Sequence, residues 1–182
     1  MMALCISALA AVLSREQGES SGEVENPEYA SWSTFSVGCS VTFQGTREEG
    51  GFKTECRTTY ALISRTAEEV ILSSKSVLLL DDGQAELPAG RRIIRARISE
   101  AERRAVWDPE KCTHEEGTEK LQVRNSLLSC RWIQHVWKDN GTIVSLKLWA
   151  SPEIPGGVVR KTWKLRGSLQ ATCDSRVIAW TS

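Results

Sequence analysis

The sequence predicts a mainly β protein: one antiparallel, strongly curved sheet or open half-barrel, with one short N-terminal helix and a second short helix farther along. Three observations carry this. Short runs rich in Val, Ile, Thr and aromatic residues recur from Phe35 to Trp180, separated by turn residues. Strand-like and helix-like segments do not alternate, which argues against a parallel α/β sheet. Of 182 residues, 41% are hydrophobic and 25% charged, the composition of one ordinary globular domain rather than a disordered chain, a fibrous repeat or a coiled coil.

The chain begins with an uncharged, mostly apolar stretch, Met1 to Ser14, and its first charge is Arg15. Such a stretch reads as the apolar core of a signal peptide, with Val12 and Ser14 at the small-residue positions before cleavage, although no basic segment precedes it. The alternative is an N-terminal helix packed on the domain. Residues 15–25 are polar and acidic and read as a flexible linker, and residues 26–182 as a single β domain.

Asn26-Pro27-Glu28 starts the first helix by a clear mechanism. Asn caps the free amides, Pro occupies a first-turn position that needs no donor, and Glu sits at the positive end of the helix dipole. Tyr29 and Trp32, three residues apart, share a face, so this helix is expected to cover one side of the sheet. Candidate strands follow at Ser36–Thr46, Phe52–Ser64, Glu69–Leu80, Arg92–Ser99, Leu121–Val123, Leu128–Lys138, Ile143–Ser151, Val158–Arg166 and Leu169–Trp180. Breaks fall at Asp81-Asp82-Gly83, Pro88-Ala89-Gly90, Asp139-Asn140-Gly141, Pro155-Gly156-Gly157 and Gly167-Ser168, and Glu100–Trp107 is the second helix.

The Asn140-Gly141 pair is the strongest hairpin signal, since a type I′ turn needs positive φ at both central positions. With Asp139 opposite Thr142, Trp137 faces Val144, His135 faces Leu146 and Ile133 faces Leu148 on one side, expected to point to the core. On the other side Trp132 lies across from Trp149, where an aromatic pair adds about 0.5–1.5 kcal/mol.

The cysteines follow from the expected compartment. Outside Cys5, the chain has Cys39, Cys56, Cys112, Cys130 and Cys173. In an oxidising compartment Cys39 with Cys56 and Cys112 with Cys130 are the candidate disulfides, the first pair flanking a hairpin turned at Glu48-Glu49-Gly50-Gly51. Reduced, buried thiols are the other reading. Cys112-x-His114 and Cys130-x4-His135 lack the tight spacing of four-ligand zinc sites, so no metal site is expected.

Function classes narrow further. Lys and Arg number 23, as do Asp and Glu, and a net charge of zero suits no general nucleic-acid binder. After the N-terminus, nothing approaches the roughly 18 consecutive apolar residues of a spanning helix. No nucleophile elbow, metalloprotease helix motif or paired-carboxylate frame is present, so no catalytic residue and no cofactor is expected. The basic run Arg91–Arg97 reads as a solvated strand face. Seven tryptophans against three Phe and two Tyr is the most unusual feature: either they fill the core of a wide sheet or they line an amphipathic pocket.

Cys130-x-Trp132 and Trp149-x-Ser151-x-x-Ile154-Pro155-Gly156-Gly157-Val158-Val159, with Asn26-Pro27-Glu28-Tyr29-Ala30-x-Trp32 and Phe35-x-x-Gly38, resemble a group of small exported bacterial β proteins. More distantly the chain resembles the LolA/LolB-like periplasmic half-barrel of lipoprotein carriers. The resemblance implies a periplasmic or secreted protein that binds an apolar ligand, lipid or lipoprotein segment in a concave sheet. Trp32 is then a lid, and Trp132 and Trp149, or Trp137 on the other face, line the wall. The alternative is a cell-envelope interaction or scaffold module with a filled core. An enclosed apolar cavity between helix and sheet favours the first reading, and tryptophans filling that space favour the second.

Overall fold

A computed structural model describes residues 22–106, 112–139, 141–167 and 170–182; the signal-peptide reading of residues 1–14 lies outside them, as does Trp107. Asn26 caps the first helix as its sequence dictates: its side-chain oxygen accepts a hydrogen bond from the Glu28 amide at 3.0 Å, and helix α1 runs over Pro27–Ser33. The expected linker is not wholly irregular. Its last residues form strand β1, Glu23–Glu25, which pairs antiparallel with β7, Arg97–Ser99, in a small two-stranded sheet.

The main sheet contains β2 (Ser40–Glu49), β3 (Phe52–Arg65), β4 (Glu69–Leu80), β5 (Gly83–Glu86), β6 (Gly90–Arg95), β8 (Cys112–Val123), β9 (Ser126–Asp139), β10 (Thr142–Ala150), β11 (Val158–Arg166) and β12 (Ala171–Thr181). Its order is β5-β4-β3-β2-β12-β11-β10-β9-β8, with β6 also on β4, and every pairing is antiparallel. The ends β5 and β8 do not meet, so the barrel stays open. Helix α2 covers Glu100–Val106, as expected from the sequence.

Strand β5 was not expected, and β2 and β9 run a few residues past their expected limits; three further differences have clear physical reasons. Residues 36–39 are not strand but a turn, in which the Cys39 amide donates to the Ser36 carbonyl at 3.0 Å. The basic run is split at Ala96, whose amide donates to the Glu68 carbonyl at 2.7 Å, so β6 and β7 enter different sheets. Strand β8 extends nine residues before the expected Leu121–Val123. Its polar sequence lacks an alternating apolar face because it is an edge strand, mostly exposed on both sides.

The sheet is bent at one end. Register shifts occur between Leu62 and Ser64, Trp149 and Ala150, and Val177 and Ala179, and all three lie at the end where α1 packs. Such bulges bend a strand and increase its twist. At the other edge β8 comes into contact with β12, past three intervening strands.

Helix α1 packs against β4 and β6. The core beneath it joins Trp32 (4% exposed) to Val41, Leu62, Val70, Leu72 and Ile94. Cross-strand pairing puts Val41 opposite Tyr60, Leu62 opposite Leu72 and Val70 opposite Ile94, so these residues share one sheet face. Arg92 fastens the start of the helix from the sheet through two bonds of 2.6 Å to the Glu28 carboxylate.

The expected disulfides are not formed. Cys39, Cys56, Cys130 and Cys173 are thiols. Cys56 lies opposite Gly45, whereas Cys39 lies beyond the Ser40–Ala61 pair. Cys130 lies opposite Glu119, and Cys112 opposite Trp137. Each expected pair is thus offset by six or seven positions, roughly 20 Å along a strand. A disulfide requires Cα atoms within about 7 Å.

Candidate functional site

Two groups of side chains stand out, and strand register assigns them to opposite faces of the sheet. The expected β9–β10 pairings all occur: Trp137 with Val144, His135 with Leu146, Ile133 with Leu148, and Trp132 with Trp149. On β11 and β12 the first face continues through Leu165 opposite Val144, Trp163 opposite Leu146, and Cys173 opposite Trp163. It reaches Arg47 on β2 and, through Gly45 and Cys56, Leu78 on β4. This is the face that carries Val41 and Leu62 beneath α1.

Away from the helix that face is apolar but only half-covered. Trp137, Val144, Leu148, Trp163, Leu165 and Leu78 are neither buried nor fully exposed. At its rim Phe52 is 80% exposed and Leu80 51% exposed, each beside a hairpin turn. Cations share this face: Lys161 lies opposite Leu148, and the Arg47 guanidinium is 5.8 Å from the Trp163 ring centroid, within cation–π range, and pairs with Glu49. Leu146 and His135, near the middle of this face, are buried.

The opposite face holds the second group. Trp149 is 6% exposed, and its indole Nε1 donates a hydrogen bond to Glu119 on β8, reaching past β9. The Lys147 ammonium sits 3.8 Å from the Trp132 ring centroid and 4.7 Å from that of Trp149. Arg160, held by Asp174 at 3.0 Å, stacks 5.1 Å from the Trp149 ring. The Trp132 ring packs against Gly117, where an added Cβ would come within 2.8 Å of it. With Leu128, Cys130 and Val123, Trp149 belongs to the main core. The Trp132 and Trp149 side of the hairpin therefore contributes to the core, because β8 folds toward it. Burial, and next the negative charge of Glu119, raises the Cys130 thiol pKa, so this sulfur is protonated and unreactive.

The four candidate tryptophans lie in three places. Trp132 and Trp149 meet each other on one face, and Trp137 stands on the other. Trp32 is packed into the core with its ring against Gly156 in the β10–β11 connector. It fills the space under the helix. Beside α1 there is an open depression of about 470 Å³, lined by charged residues including Glu28, Glu69, Arg92 and Arg95 as well as by Ile94 and Ile98. It is not the enclosed apolar cavity that would make α1 a lid. What sequence reasoning missed is the apolar lining from β11, β12 and β4, because Trp163, Leu165 and Leu78 signal only strand until the register across four hairpins is known.

Among the described residues, no group of three or more metal-ligating side chains is present, and no helix is long and apolar enough to cross a membrane. His135 has a testable electrostatic consequence. Burial, and next the charge of the facing His114, lowers its pKa from the usual value of about 6.5. The unfolded chain therefore takes up a proton at a higher pH than the folded protein. Stability is fully present above about pH 6.5 and falls as the pH drops toward the folded-state value. Nearby charge comes from Glu116, held below its ordinary range first by its hydrogen bond to Arg131. The urea midpoint is expected to be lower at pH 5.5 than at pH 7.5, and the His135→Gln variant should lose most of that difference. An equal pH dependence in the variant would assign the effect elsewhere.

No family model matches the chain, and neither does any curated protein. Among solved structures it is similar to a Bacteroides fragilis protein described as exported and of YmcC-like fold, at 10% identity and a TM-score of 0.46, covering 81% of this chain and 97% of that one. It is also similar to an S-type phycobiliprotein lyase from Guillardia theta, at 9% identity and a TM-score of 0.35, covering 81% and 89% of the two chains. A third similar chain is an outer membrane lipoprotein-sorting protein domain from Vibrio parahaemolyticus, at 8% identity and a TM-score of 0.24, covering 80% and 86%. At these scores no residue role or activity passes to this chain.

Proposed function

We propose that this protein is a non-catalytic exported protein, periplasmic or secreted, that holds an apolar ligand, a lipid or the acyl part of a lipoprotein on the open face of its sheet. The observation that carries the reading is the half-covered apolar lining of Trp137, Val144, Leu148, Trp163, Leu165 and Leu78, which lies on the sheet face that carries α1 but beyond the part that α1 fills. An acyl chain laid there removes its own surface and the lining from water, at about 25 cal/mol per Å². Arg47 above Trp163 and Lys161 opposite Leu148 supply cations beside the apolar side chains, suited to an anionic or phosphate headgroup. In this reading Trp32 is a core anchor rather than a lid.

Native mass spectrometry of the protein purified from its own envelope tests this. A lipid-mass adduct is expected, and Leu148→Lys should weaken its retention by about tenfold, while Ser145→Lys on the opposite face should not. Protein free of adduct, with Leu148→Lys indistinguishable from wild type, would leave the second reading, an envelope interaction or scaffold module. Trp32 and Trp149 filling the core favour that alternative.

A further inference from the structure

The chain has two histidines, 21 residues apart in sequence, and the fold brings them together. His114 on β8 is directly opposite His135 on β9, on the same face of the sheet. Their ring centroids are 6.2 Å apart and the ring planes are inclined by 32°. His114 is exposed and His135 is 8% exposed. Glu116, two residues along β8 from His114, is on the same side and close enough for the histidine's charge to lower its pKa. Neither side chain has a role in the apolar site proposed above, and sequence spacing alone gave no metal pattern.

From this geometry we infer that His114 and His135 form a two-imidazole site for a divalent transition metal ion such as Zn²⁺, Ni²⁺ or Cu²⁺. Two neutral imidazoles suit these ions and not Mg²⁺ or Ca²⁺, which take oxygen ligands. Metal–nitrogen bonds of about 2.0–2.1 Å place two cis imidazole centroids about 5 Å apart, so a displacement of about 1 Å by the exposed His114 ring closes the pair on a metal. The strand pairing fixes both Cα positions, so little conformational entropy is lost on binding. No third ligand is grouped with them among the described residues, so water completes the coordination. The consequence is moderate affinity and an exchangeable ion rather than a permanent structural one. Because the site spans β8 and β9, a bound ion ties the edge strand to its neighbour.

Isothermal titration of the full untagged chain with Ni²⁺ at pH 7.5 tests this, since Ni²⁺ does not oxidise thiols. One ion per chain is expected. His114→Asn, at an exposed position, should weaken binding at least tenfold while circular dichroism stays unchanged. Thermal melting in Ni²⁺ should raise the midpoint of the wild type and not of His114→Asn. Equal Ni²⁺ affinity in wild type and His114→Asn, or no binding by wild type at 1 mM Ni²⁺, would overturn the site. Neither result depends on whether a lipid co-purifies, so the two proposals fail separately.

Discussion

Replacing Trp32 with alanine is expected to lower the unfolding free energy by about 3–5 kcal/mol. Trp32 is 4% exposed, lies at the centre of the packing between α1 and the sheet, and is the one buried residue of that helix. A seven-residue helix has little stability of its own and depends on this contact. The partner surface makes a sharper test. Gly156 has φ of +76°, and a Cβ there would lie 2.6 Å from the Trp32 indole. Gly156→Ala therefore suffers both left-handed backbone strain and a clash, together about 2–4 kcal/mol. The clash vanishes when the indole is absent, whereas the backbone strain does not. Chemical denaturation of both single variants and the double variant should thus show a total loss smaller than the sum, by about 1–3 kcal/mol. Additive losses would mean that Trp32 and Gly156 do not share a contact.

The second large effect is expected at Trp149. Its alanine variant loses a ring that is 6% exposed, its hydrogen bond to Glu119, and the surface on which Lys147 and Arg160 stack. The expected cost is again about 3–5 kcal/mol. It differs from the Trp32 variant in where the structure loosens. Glu119 belongs to the edge strand β8, so amide exchange should accelerate across β8 and leave α1 and β4 as in wild type. Trp149→Phe keeps most of the apolar contact but has no indole N–H for Glu119, and should cost about 1–2 kcal/mol. Unchanged protection of β8 in both variants would show that Trp149 does not hold this edge.

Much of the architecture can be read from local chemistry. Asn26-Pro27-Glu28 marked the helix start to the residue, and Asn140-Gly141 fixed the β9–β10 register, with Gly141 at φ of +82°. The strands β4 and β11 keep their expected limits because each is bounded by turn residues and rich in β-branched and leucine side chains. The disulfide expectation failed although the information was present. Counting outward from Gly50-Gly51 sets Cys56 opposite Gly45 and carries Cys39 past the last ladder pair, so the count excludes the bridge. Most of β8 was hidden for a physical reason, since Thr113–Lys120 is mostly exposed at a sheet edge and needs no apolar stripe.

The candidate site was less legible. Sequence gave the tryptophans but not their sorting, which depends on the twisted sheet and on the folding of β8 toward the Trp132 side. Trp137 lies half-buried on the face opposite Trp132 and Trp149, and Trp32 is packed into the core. The rest of the lining comes from strands far apart in sequence, Leu78 on β4 and Trp163 on β11, and no local pattern links them. The pairing of His114 with His135 required the full β8 register, so it too was invisible until that strand was placed.

At the middle of the sheet, β2 is hydrogen-bonded to β12, joining Ser40–Glu49 to Ala171–Thr181. Nothing emerging earlier from the ribosome can stand in for that last segment. The N-terminal strands and the later ones are left as two separate meanders, each with a raw inner edge, until β12 has been made. Closing a loop of this length makes assembly slow, and the waiting halves are prone to cling to chaperones or to one another. A sheet whose two halves join only through Ala171–Thr181 cannot be completed before that segment has been made.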